Sequence, residues 1–403
     1  MLCLAVTASG LVLERHRPEV PVRPASADAG RPAGVSRLLG RLAATLQHGT
    51  PAQVAALGAP GDAAARRELL TLSGNVRRLH LGDLTLRYVT GRPVARVGER
   101  VTGPVTWVAT VRLGWRVRGV DAHPGTREVP VTVRTSPAGV RFVTARRDDR
   151  NGVPLWLLTR VRADRTAHAL VVSAASVPRV RAARIADLAD RAVLEVRRVL
   201  PGWRGRLAVE VPADEAQLAA VLGSAPGAED RVAAATTTAD GSLWADRPVR
   251  IFVNSGVFDR LGPHGSQIVL THEATHVATG AAVSSMPPWL LEGFADYVAL
   301  ASEHVPVRVS ASQALGRVRR VGVPAHLPDR ADFDPRSPAV GASYEAAWLA
   351  CRQLARTYGQ RRLVAFYRTV DRTSSTTGAF RALDIDRQAF TRAWQRDLRR
   401  LAG

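Results

Sequence analysis

Two histidines four residues apart, His272 and His276, bracket an acid in the run His272-Glu273-Ala274-Thr275-His276. On an α-helix, positions i and i+4 share one face about 5 to 6 Å apart, a gap that two ring nitrogens can close on one cation. Glu273 then sits beside the ion without having to bind it, where its carboxylate can take a proton from water. In a chain with 10 His and 35 Asp plus Glu, the same pentapeptide can also be an ordinary solvated helix turn. The run from Met286 to Ala299, MPPWLLEGFADYVA, argues for a site. Pro287 and Pro288 suit a helix start, because the first turn needs no amide donors. Glu292 falls early in that helix as a third ligand, which leaves the fourth position of a tetrahedral zinc ion to water. Asp296, four residues on, shares its face. It can accept the second ring N–H of His272 or His276 and so fix which nitrogen faces the metal.

HEATH followed by PPWLLEGFADYVA resembles the gluzincin metallopeptidases of the thermolysin-like clan, and most of all the bacterial peptidase MA-like families with a Trp-x-x-Glu-Gly-x-Ala signature. The resemblance implies a Zn2+ cofactor held by His272, His276 and Glu292, with Glu273 as general base and Asp296 as the acid that follows the third ligand. It departs in spacing, since only Val277 to Leu291 separate His276 from Glu292, fewer than in the best-known members. It also reaches flanking segments. Val249 to Asn254 reads as a β-branched strand ahead of the His-bearing helix, and zincins of this kind place an edge strand there for an extended substrate. That makes Ile251, Val253 and Asn254 candidate substrate contacts, with a plain core strand as the alternative. Ser343 to Leu349 and Arg356 to Gly359 resemble the family's later helix and its Tyr-Gly end. Tyr344 is either an oxyanion donor or a packing residue.

Two functions from different classes follow. One is hydrolysis of a peptide or protein substrate by a zinc-activated water. The other is a catalytically silent zincin-like binding or scaffold protein of the cell envelope. An intact Glu273 favours the enzyme, because a binder has no need of a base.

The elements that position these residues form an α+β order. From Val35 to Leu72 the leucines recur at helical spacing around a Gly49-Thr50-Pro51 break. Strands follow at Leu79–Val89, Val105–Leu113, Val129–Arg134 and Val140–Thr144, with Ser136 to Gly139 as a hairpin turn. Helices ahead of a curved antiparallel sheet resemble an NTF2-like cone, over 35–158. A second unit, 165–403, carries strands at Ala169–Val172 and Leu207–Val211 and a helix at Arg181–Leu200, then helices to the end. This is the zincin layout of sheet lobe and helical lobe with a cleft between. The Arg387–Leu401 helix presents Phe390, Trp394 and Leu398 on one stripe.

Residues 1–13 are apolar but too short to span a bilayer, and resemble the tail of a signal peptide or anchor; 14–34 reads as a Pro, Arg and Ala linker. We therefore expect a secreted or membrane-anchored, extracytoplasmic protein. All 56 basic residues are arginine, and they give a net charge of +21. The arginines are scattered and aromatics are 5%, which argues against a nucleic-acid partner and for contact with an anionic envelope or lipid surface. Cys3 and Cys351 make no disulfide framework, and Cys351 reads as a small apolar core residue. His264 and His304 lie in loops on either side of the motif, where lone exposed histidines are the common case.

Overall fold

The computed structural model describes residues 31–94, 105–145, 152–225, 227–303 and 305–403. The apolar segment 1–13, most of the proposed linker, Cys3 and His304 lie outside the described residues.

Helix Arg31–His48 begins earlier than the leucine pattern suggested and buries Val35, Leu38, Leu39, Leu42 and Leu46. A capping box between Thr50 and Gln53 starts the short helix Pro51–Ala55, and Asp62 caps Ala63–Leu79 through the amide of Ala65. That helix ends at His80, which is left-handed at φ 53°. The strand expected from Leu79 therefore starts after this turn. Four antiparallel strands follow in sequence order: β1 Leu81–Pro93, β2 Val105–Val117, β3 Gly125–Ser136 and β4 Gly139–Ala145. Alternate residues of β2, Trp107, Ala109, Val111 and Leu113, point into the core, as period two requires. Register shifts in β1, at Gly82/Thr85 and Tyr88/Thr90, are the irregularities that curve a long strand.

The second sheet has five strands, β5 Val161–Arg165, β6 Ala169–Ala174, β7 Leu207–Val211, β8 Ala234–Thr238 and β9 Val249–Val253, in the order β5-β6-β7-β9-β8. Pairs β6/β7 and β7/β9 are parallel, while β5 and β8 run antiparallel at the two ends. Parallel pairing needs a long crossover, supplied between β6 and β7 by helix Arg179–Val199. Both faces are covered, so β6 and β7 are buried along their whole length and are apolar except for Ser173 and Glu210. Val171, Val209, Ile251 and Val253 join the core beneath the helices. Leu170, Val172 and Phe252 join the core of the first unit.

The two units are therefore not beads on a linker. Leu155, Trp156 and Val161 belong to the first unit's core, and Trp156 packs edge-on against Trp115 with centroids 6.4 Å apart. Buried Asn75 donates to the carbonyls of Trp156 and Thr159 and accepts from the amide of Val161. Arg250 of β9 makes two bonds to Asp121, at 2.7 and 2.8 Å, and approaches Glu210 of β7 at 3.5 Å. Arg127 of β3 donates to the carbonyl of Val221 at 3.1 Å.

The topology corrects one expectation. Val249–Asn254 is not an edge: β9 lies between β7 and β8, and β8 is the terminal strand. The helices after the second sheet pack as one lobe, pinned by Trp394, whose indole donates to the carbonyl of Ala346 at 3.1 Å. No helix of the described residues is long and apolar enough to cross a membrane.

Candidate metal centre

His272, Glu273 and His276 sit in the C-terminal half of helix Gly262–Thr279, which is buried continuously from Val269 to His276. A helix apolar on one face only would have exposed one of the three. This one lies between β8, helix Arg179–Val199 and helix Pro288–Leu300, so all of them are enclosed. It ends at Gly280, whose φ of 71° suits glycine and turns the chain toward the second helix. That helix, Pro288–Leu300, starts on Pro287 and Pro288 as the sequence suggested. The residue after Glu292 must be small. A Cβ on Gly293 would come within 2.3 Å of the carbonyl oxygen of Ala347, so glycine lets this helix lie against helix Val340–Tyr358.

The crossing brings three donor atoms to one point. His272 Nε2 and His276 Nε2 are 2.8 Å apart, and Glu292 Oε2 is 3.2 Å from the first and 3.4 Å from the second. A tetrahedral ion bonded at about 2.0–2.1 Å spaces its ligands by roughly 3.3 Å, so the triangle has the size of a coordination shell. The residues fit a cation on chemical grounds too. Two imidazole nitrogens facing each other at hydrogen-bond distance need a proton or a metal between them, and a carboxylate oxygen completes the set. All three side chains are buried, which makes an unpaired lone pair costly.

Asp296 Oδ1 meets His272 Nδ1 at 2.8 Å, so the acid serves His272 and leaves Nε2 of that ring facing the triad. His276 Nδ1 is buried without a hydrogen-bond partner among the described residues. Burial disfavours the charge on His272, but the facing carboxylates of Asp296 and Glu292 outweigh it and push its pKa well up. Burial likewise works against the Glu292 carboxylate, yet the two histidines hold it down to about 2. Glu273 has no such support: burial dominates and pushes it up to about 8, against the pull of His272 and a hydrogen bond from Thr236.

Of the residues named from sequence, His272, His276, Glu292, Glu273 and Asp296 are brought together. Tyr344 joins them, its ring centroid 6.2 Å from that of His272, with Phe333 packed edge-on against its other side at 4.9 Å. Burial and the nearby carboxylates push the Tyr344 phenol well above its usual value, which keeps its proton in place for donation. Ile251 and Val253 are instead core residues beneath the helices, because β9 is paired on both sides. Asn254 is a cap: it accepts from the amide of Gly256 and donates to the carbonyl of Glu229. His264 is exposed and faces Glu303 at 3.3 Å, and Cys351 is a buried free thiol.

Sequence reasoning missed Thr236. Its hydroxyl donates to Glu273 Oε2 at 2.5 Å, and β8 is the strand that faces the acid. The signal was the threonine run Thr236-Thr237-Thr238 after an apolar stretch from Val232, a short β-branched segment close to Gly241. No protein-family model matches the chain, and no curated protein or solved structure compared with it does.

Proposed function

We propose that the chain is a zinc-dependent metallopeptidase of gluzincin type, with a zincin-like catalytic unit behind an NTF2-like module. The observation that carries this reading is the convergence, among the described residues, of three buried ligand atoms and not four, with a carboxylate one residue along the same helix. Structural zinc sites close their shell with four protein ligands, whereas hydrolytic sites keep one position for water. Two nitrogens and one carboxylate oxygen at this spacing suit zinc among the divalent cations.

In this reading His272, His276 and Glu292 hold the ion, and Asp296 keeps His272 in the tautomer that binds it. Bound zinc supplies Lewis acidity, lowering the pKa of a water from 15.7 toward about 7 and polarising a carbonyl. Glu273 takes a proton from the attacking water at Oε1 as the oxygen adds to the peptide carbonyl carbon. It then gives the proton to the departing amide nitrogen as the C–N bond breaks, yielding a carboxylic acid and an amine. Tyr344, poised beside His272, donates its phenol hydrogen to the negative oxygen that develops on the carbonyl.

One observation favours the second reading, a silent metal-holding scaffold. Glu273 is 0% exposed and the three ligands are 1–4% exposed, so substrate has to displace covering residues to reach them. The two readings part in one experiment. Protein stripped by chelator is reloaded with zinc, and zinc stoichiometry and hydrolysis of a peptide library are measured for the wild type and Glu273→Gln. The peptidase reading expects one zinc in both, with nearly all turnover lost in Glu273→Gln. Zinc without turnover supports the scaffold, and failure to bind zinc removes both.

A further inference from the structure

The two oxygens of Glu273 are treated differently by the fold. Oε2 accepts the Thr236 hydroxyl at 2.5 Å, while Oε1 is buried with no hydrogen-bond partner among the described residues. The same hydroxyl lies 3.3 Å from the main-chain oxygen of Glu273, so it sits in the notch between that residue's backbone and its side chain. Thr236 comes from a different element than the acid. It lies on β8, paired in register with Ile251, on the sheet face that packs against the His-bearing helix. Thr236 is 1% exposed, and its branched Cβ restricts χ1, so the hydroxyl is placed by the strand and not by the helix.

We propose that Thr236 is a positioning residue for Glu273. It clamps Oε2 so that Oε1 alone keeps a free lone pair, and it fixes the rotation of a carboxylate whose terminal torsion is otherwise broad. The inference rests on the reading of Glu273 as general base. A base must hold its lone pair within hydrogen-bond reach of the proton it takes, and a misplacement of about 1 Å can cost about 100-fold in rate. A glutamate fixed only by its own helix has three side-chain torsions to settle. One fixed from a facing strand has its endpoint defined as well.

The test uses the zinc-loaded full chain. Thr236→Val keeps the shape and loses the hydroxyl; Thr236→Ser keeps the hydroxyl and loses the methyl. Zinc affinity, measured by competition with a chromophoric chelator, is expected to be unchanged in both. The valine variant is expected to lose about 10- to 100-fold in kcat with KM unchanged. Serine should restore kcat to within about threefold of the wild type. In a Glu273→Gln background the valine change should cost nothing more, because a clamp has no effect once the base is gone. Should valine fail to fold, as judged by thermal unfolding, Thr236→Ala carries the same expectation. The proposal is overturned if the hydroxyl-free variants keep full kcat, if serine falls as far as valine, or if the loss persists at full size without Glu273. A zinc-loaded wild type that cleaves nothing overturns the parent reading and this one with it, whereas an active wild type beside an unchanged Thr236→Val removes only the clamp.

Discussion

Two of the buried charge clusters among the described residues are satisfied in opposite ways. Between the sheets, Arg250 meets Asp121 through two short bonds and Glu210 through a third contact, so both acids find a permanently charged partner within the chain. At the crossing of helices Gly262–Thr279 and Pro288–Leu300, Glu292 and Asp296 find their partners in His272 and His276, and imidazoles carry charge only when protonated. The first cluster carries its own permanent cation. The second is short of positive charge and gathers its lone pairs on one point. A buried arginine pair joins the two units, whereas a buried histidine and carboxylate set invites a cation.

The largest expected effect breaks the first cluster. Arg250→Met leaves Asp121 buried without its counter-charge and Glu210 with Arg127 alone, and should cost about 3–5 kcal/mol in denaturant unfolding. Zinc should not repair it. Replacing Asp121 as well, by leucine, should recover much of the loss, and a double variant as unstable as the single would show that the pairing is not what matters. Comparable in size is the effect of filling the incomplete cluster. With free zinc at about a thousand times its Kd, the wild type should gain about 4 kcal/mol over the chelated protein, and His276→Ala should gain nothing. Equal thermal shifts in the two proteins would place the ion elsewhere.

Asp296→Asn keeps the size of the acid and weakens its hold on His272 Nδ1. Zinc affinity should fall about 10- to 100-fold, measured by competition titration, with the fold intact. Affinity equal to the wild type would deny Asp296 its part in the site.

The smallest effect concerns Glu345, a third kind of buried carboxylate, held by the amide of Ala314 at 2.7 Å and the side chain of Gln313 at 3.2 Å. Burial outweighs those bonds and pushes its pKa from 4.5 up to about 7. The folded state then holds the proton more tightly than the unfolded one. Its contribution is fully present below about pH 4.5 and is lost as pH rises toward 7. The stability curve of Glu345→Gln should be flatter across that window, and an unchanged slope would assign the effect to other groups.

The sequence alone determined whatever is written in short spacings. Positions i and i+4 on a helix fix His272 beside His276, and the same rule puts Asp296 on the face of Glu292. Leucine periodicity and β-branched runs likewise gave the helices around Leu38 and the strands β2 to β4, because a side chain's face follows from its own backbone. What lies between distant segments had no such rule. That Asp296 serves His272 and not His276, that Tyr344 reaches the centre, that β8 and not β9 ends the sheet, and that Arg250 finds Asp121 all depend on which surfaces meet. Strand order carries no local signature, since β8 and β9 are both short and mostly buried. Only the packing of helix against sheet brings the Thr236 hydroxyl to Glu273, from residues 37 positions apart.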